Sequence, residues 1–108
     1  MISIDDFKKV ELRAGTIKNV EDHEAARKPM YKLTVSFGEL GDKTIIAGIK
    51  GVYSKDELMG KQIICVFNLA PKNVAGVASE GMILAAEDSN VLSLIVPEKR
   101  VADGSQVY

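Results

Sequence analysis

From Tyr31 to Phe37 every second residue is large and apolar: Tyr31, Leu33, Val35 and Phe37, with Lys32, Thr34 and Ser36 between them. A period of two puts the sets on opposite faces of an extended strand, one for a core and one for water. The same rhythm marks Lys9 to Glu21, where Val10, Leu12 and Ala14 alternate with Glu11, Arg13 and Gly15. Beyond Gly15 the apolar positions move to Ile17 and Val20, so the phase slips. A glycine at the slip predicts a bulge that bends a long first strand, as a small closed barrel requires. After the turn Gly38–Lys43 (GELGDK), Thr44 to Ile49 reads as a third strand. Three such strands in succession predict an antiparallel meander.

The second half breaks that rhythm once. Ser54 and Glu57 stand at capping-box spacing, Leu58 and Met59 follow, and Gly60 is placed to stop the helix. Gln62 to Phe67 is apolar in both phases, the mark of a strand covered on both faces. Pro71 ends it, because proline cannot donate to a continuing ladder. Lys72 to Gly81 has small residues and no helical period, and Met82 to Ala86 runs apolar again. That segment is either a plain hairpin with a long turn or a binding edge, since glycines admit a ligand closely and loops on rigid strands carry function. Val91 to Val96 is the last apolar run, after which Glu98 to Tyr108 trails off. At the front, Ile2 to Phe7 suits one helical turn with Ser3 as its N-cap. Three strands, a short helix and two strands predict an all-β chain. The layout is that of an OB-fold: a five-stranded Greek-key barrel with the helix between strands 3 and 4, here with N- and C-terminal extensions. At 108 residues one domain, 1–108, is expected.

Charge narrows what such a barrel could hold. Fourteen lysines and arginines face fifteen acids, for a net charge of −1. That argues against holding nucleic acid by bulk charge, so any such binding must come from a local basic patch, and the charge by itself does not decide the question. No apolar run reaches the roughly 18 residues that span a bilayer. The charged N-terminus lacks a signal peptide's apolar core, so no membrane contact and a cytoplasmic location are expected. Cys65 lies mid-strand and reads as an inert buried thiol. His23, in a polar loop between Asp22 and Glu24, reads as a surface residue. No nucleophile has a base partner, no glycine loop cradles phosphate and no ligand set suits a metal, so neither an enzyme nor a cofactor is expected.

The stretches DFKKVELRAGTI (Asp6–Ile17), GIKGVYSKDELMGKQIICVFNLAPK (Gly48–Lys72) and GVASEGMILAAED (Gly76–Asp88) resemble the tRNA-binding domain found free-standing or fused to the C-terminus of methionyl-tRNA synthetase. One part departs from that pattern: HEAARKPMYKL (His23–Leu33) is similar instead to the CsaA branch, linked to protein secretion and chaperone-like peptide binding. The resemblance implies tRNA as partner, gripped at its outer corner by shape without choice of one species. The alternative it implies is an unfolded peptide, and an aminoacyl-tRNA synthetase is the third partner considered.

Arg13, Arg27, Lys28 and Lys32 are candidates for a basic edge, and Lys72 for a further phosphate contact. Asn68, Ser79 and Met82 match the family's binding-surface positions. If Asn68 and Ser79 serve binding, changing either to alanine should leave the melting temperature nearly unaltered. Both chain ends are apolar beyond the barrel, with Ile2, Ile4 and Phe7 at one and Val107 and Tyr108 at the other. Exposed patches of that kind are usually covered, which predicts a homodimer made by the two ends.

Overall fold

In the computed structural model, which describes residues 1–108, the core is one cluster built from the phases read above. Strand β1 (Leu12–Asp22) is the spine of the sheet. It pairs antiparallel with β2 (Tyr31–Ser36), which pairs with β3 (Asp42–Ala47). On its other edge β1 pairs with β4 (Gln62–Val66), and β4 with β7 (Met82–Ile83). The order is β3-β2-β1-β4-β7, the meander and return of a five-stranded barrel. Tyr31, Leu33, Val35 and Phe37 all point into the core with Ile17, Ile45, Ile63 and Cys65.

Helix α2 (Lys55–Leu58) lies between β3 and β4 and carries the full capping box. Glu57 N donates to Ser54 Oγ at 3.2 Å and Ser54 N to Glu57 Oε1 at 2.8 Å. Leu58 is the side chain this helix buries. Helix α1 (Ile4–Phe7) has the same device from Ser3 and Asp6 but buries nothing. No helix is long and apolar enough to cross a membrane.

Four expectations are corrected. The bulge of β1 falls between Ile17 and Asn19, not at Gly15. Leaving Lys18 unpaired lets Ile17 and Val20, three residues apart, both face inward. Gly15 serves close packing instead: a Cβ there would stand 2.7 Å from Phe37 Cε1 and Val35 Cγ1. The loop after Pro71 is a hairpin, β5 (Lys72–Val74) and β6 (Val77–Ser79). Its two-residue turn has Ala75 and Gly76 both at positive φ, 48° and 90°, the twist that short hairpins need.

The third correction concerns the run Met82–Ala86. It divides at Leu84 into β7 and β8 (Ala85–Glu87), the latter pairing with β9 (Leu92–Leu94). The fourth concerns the C-terminal segment, which does not trail off. Gln62 Nε2 donates to Val101 O at 2.7 Å and to Asp103 Oδ1 at 2.9 Å, and Thr16 Oγ1 donates to Asp103 Oδ1 at 2.6 Å. Strand β10 (Gln106–Val107) then pairs with the start of β1. Ala14, Ile64 and Val66 are buried outside the main core cluster, so the apolar set Val10, Leu12 and Ala14 does not join the core that its alternation predicted.

The barrel closes between β3 and the β6–β7 corner without a regular ladder. Glu80 N donates to Thr44 O at 2.8 Å, while Thr44 N donates to the Glu80 carboxylate at 2.9 Å and Ile46 N to Ser79 Oγ at 3.0 Å. Side chains thus take the place of strand backbone along this seam.

Candidate nucleic-acid interface

Beside that seam lies a groove of about 200 Å³ lined by Met30, Ile46, Leu69, Lys72, Val74, Ser79, Gly81 and Met82. Three of the residues singled out in the sequence, Lys72, Ser79 and Met82, meet here. Lys72 opens β5 and is exposed, and Met82 is 47% exposed at the start of β7. Ser79 is buried on the floor, where its hydroxyl accepts from Ile46 N and donates to Gly81 O at 3.2 Å. Lys32 borders the groove from β2, directly across from Ile46, with its Nζ 3.9 Å from the Glu21 carboxylate. Arg27 and Lys28 project from the exposed loop that ends at Met30.

Of the 14 lysines and arginines, five have no carboxylate, carbonyl or aromatic partner: Lys8, Arg27, Lys28, Lys72 and Lys99. Three of these five stand on or beside the groove. Three unpaired cations are thus carried by the two segments that flank the groove, with Glu24 on the same loop and Glu80 at the seam, in a protein whose net charge is −1.

The other two candidates are placed differently. Arg13 is half-buried, with Nε 2.6 Å from Glu11 Oε1 and Nη1 donating to Gly104 O at 2.8 Å. It lies against the C-terminal strap rather than at the groove. Asn68 neighbours Leu69, but its side chain turns away: Oδ1 accepts from Glu11 N and Nδ2 donates to Lys9 O, both at 2.8 Å.

Sequence reading missed the apolar floor and His23. Ile46 did carry a signal, an isoleucine in the outward phase between buried Ile45 and Ala47. His23 is buried rather than superficial, because the hairpin folds over it: its Nε2 lies 2.7 Å from Val74 O. Next to it Asp22 is held by Lys50 at 3.0 Å and Lys55 at 3.2 Å, hydrogen-bonded cations that keep its carboxyl below the usual range. Burial pushes the Cys65 thiol up to about 12, too high to yield a nucleophilic thiolate at neutral pH.

Residues 12–106 match the family model described as "Putative tRNA binding domain". This chain belongs to that family. It is 42% identical over 107 residues to the methionine–tRNA ligase of Nanoarchaeum equitans, a match covering 99% of this chain and 14% of that enzyme. The chain spans only 14 to 16% of the length of the curated methionine–tRNA ligases it matches. Among solved structures, the CsaA chaperone protein of Picrophilus torridus superimposes with a TM-score of 0.93 at 39% identity, covering all of both chains. The methionyl-tRNA-synthetase-related protein of Pyrococcus horikoshii gives 0.90 at 35% identity, over 100% of this chain and 98% of the other. The OB-type barrel, the family and the kinship to both branches agree with what the motifs implied.

Proposed function

We propose that this tRNA-binding domain binds tRNA through the groove at the β3–β7 seam, by phosphate contacts from Arg27, Lys28, Lys32 and Lys72 around an apolar floor. The observation that carries this reading is the set of unpartnered cations at the rim. A cation already paired to a carboxylate, as Lys32 is to Glu21, must lose that partner before it can hold a phosphate, and Arg27, Lys28 and Lys72 need not. Phosphate contacts supply affinity and orientation rather than base reading, which suits recognition by shape. The domain acts by binding, not catalysis, and works in the cytoplasm, alone or with an aminoacyl-tRNA synthetase. A gel-shift titration with bulk tRNA at two salt concentrations tests it, with log Kd rising against log salt by about 0.7 to 0.9 per phosphate contact. Binding that is absent at low salt, or insensitive to salt, overturns it.

The second reading is a CsaA-like peptide-binding chaperone, favoured by the groove's floor. Met30, Ile46, Leu69, Val74 and Met82 present mostly aliphatic and thioether surface, which adapts to varied apolar side chains. Competition separates the two readings: an unfolded apolar peptide that displaces tRNA shares the groove.

The working unit in this proposal is a homodimer. Ile4, Phe7 and Val10 from the front of the chain and Val107 and Tyr108 from its end line an apolar groove of about 640 Å³. Tyr108 is 95% exposed and Ile4 66%, so the strap docks the C-terminal segment without covering its last residue. A second copy seated there would shield this surface and join two grooves into one face wide enough for a folded RNA. Light scattering at micromolar concentration should give twice the mass of one chain, and removal of residues 1–7 should give a monomer.

A further inference from the structure

His23 stands between the two segments that carry the free cations. The loop from His23 to Met30 bears Arg27 and Lys28, and the hairpin from Lys72 to Ser79 bears Lys72. Two backbone bonds close the loop on itself, His23 N to Met30 O at 2.9 Å and Ala26 N to His23 O at 3.1 Å. Neither bond fixes where the closed loop sits relative to the hairpin. The imidazole supplies that link, with Nε2 2.7 Å from Val74 O, one residue before the Ala75–Gly76 turn. A carbonyl oxygen only accepts, so Nε2 carries the hydrogen and donates it. On the other side of the loop's base, Asp22 is tied to Lys50 and Lys55.

We infer that His23 is a positioning residue for the groove: it pins the Arg27–Lys28 loop to the Lys72 hairpin, so that cations from two separate segments present one fixed spacing to an RNA backbone. The inference rests on the tRNA-binding reading. Its physical basis is pre-organisation. A loop of eight residues with no other hydrogen bond to the hairpin would have to be ordered on binding, and each ordered segment subtracts from affinity. Burying the chain's sole histidine under the hairpin removes that cost before RNA arrives.

The test uses His23→Phe, which fills the space without the donor, and His23→Gln, whose amide nitrogen can reach the same carbonyl. His23→Ala serves if the phenyl ring does not fit. One readout needs no RNA: trypsin cleavage of the native protein at the Arg27–Lys28 bond. Cleavage should be several-fold faster in the Phe variant and near wild type in the Gln variant. The second readout is the salt slope of tRNA binding, with and without Arg27→Ala/Lys28→Ala. In the wild type, removing these two cations should lower the slope by about 1.5. In the Phe variant the slope should already be lowered, and their removal should change it little further; the Gln variant should behave as wild type.

Cleavage no faster in the Phe variant overturns the pin. Faster cleavage with an unaltered slope overturns the positioning role and leaves only a structural contact. A wild-type protein that does not bind tRNA at any salt overturns the RNA reading, and the cleavage rates still decide the pin.

Discussion

The hydroxyl of Ser79 accepts the Ile46 amide at 3.0 Å, standing where a neighbouring strand's carbonyl would stand in a continuous ladder. Barrel closure at this seam therefore depends on a side chain that is itself 8% exposed. Ser79→Ala leaves a buried amide without its partner and should destabilise the fold by about 1–3 kcal/mol. Urea denaturation checks it. The expectation that such a change would spare the melting temperature is set aside, because this hydroxyl is engaged in the fold.

Asn68 poses the same question in a more exposed place. It holds Lys9 O and Glu11 N, positions 59 and 57 residues away, and so ties the lead-in from α1 to the end of β4. Asn68→Ala should cost about 0.5–1.5 kcal/mol per net hydrogen bond lost. It should also speed hydrogen exchange at the Glu11 amide. Unchanged exchange there would return Asn68 to the list of residues free for a ligand.

The rim cations should behave oppositely to Arg13. Lys72→Ala, or Arg27→Ala with Lys28→Ala, removes exposed side chains that make no hydrogen bond or ion pair, so stability should move within about 0.5 kcal/mol while tRNA binding weakens. Arg13→Ala removes bonds to Glu11 and Gly104 and uncovers the Phe67 ring, 5.8 Å from its guanidinium carbon. Its melting temperature should fall more than its tRNA affinity. Thermal melts and filter binding on the same preparations compare the two.

Asp22 gives a pH dependence with a definite sign. Its hydrogen bonds to Lys50 and Lys55 lower the folded-state value below the ordinary 3.8. The unfolded chain therefore takes up a proton first as pH falls, and the stabilisation is present above that ordinary value and lost below it. The stability difference between wild type and Asp22→Asn should be constant at neutral pH. It should shrink as pH falls below about 3.8 through the folded-state value. Asp88 and Glu57, also lowered, are common to both proteins and cancel in that difference.

Local periodicity determined most of the barrel. Alternation at Tyr31–Phe37, apolarity in both phases at Gln62–Val66 and the Ser54–Glu57 box each depend on residues within one turn or one strand, and each appears as read. The family motifs likewise lie in contiguous stretches. Position of the bulge was not legible, because Lys18 or Gly15 could leave the ladder equally well until β2 imposed its register. The hairpin inside Lys72–Ser79 was hidden because an Ala75–Gly76 turn lacks the asparagine or aspartate that usually announces one.

What only tertiary structure decided is which polar groups are left over for a ligand. Asn68, Ser79, Arg13, Lys72, Arg27 and Lys28 all read as polar candidates in sequence. Folding engages the first three with backbone 33 to 91 residues away and leaves the last three without partners. His23 shows the same rule in reverse, a loop residue that the hairpin 51 residues later buries. Hydrogen-bond partners this far apart in sequence leave no periodic trace in the chain, so only the folded arrangement separates a residue that holds the barrel from one free to hold RNA.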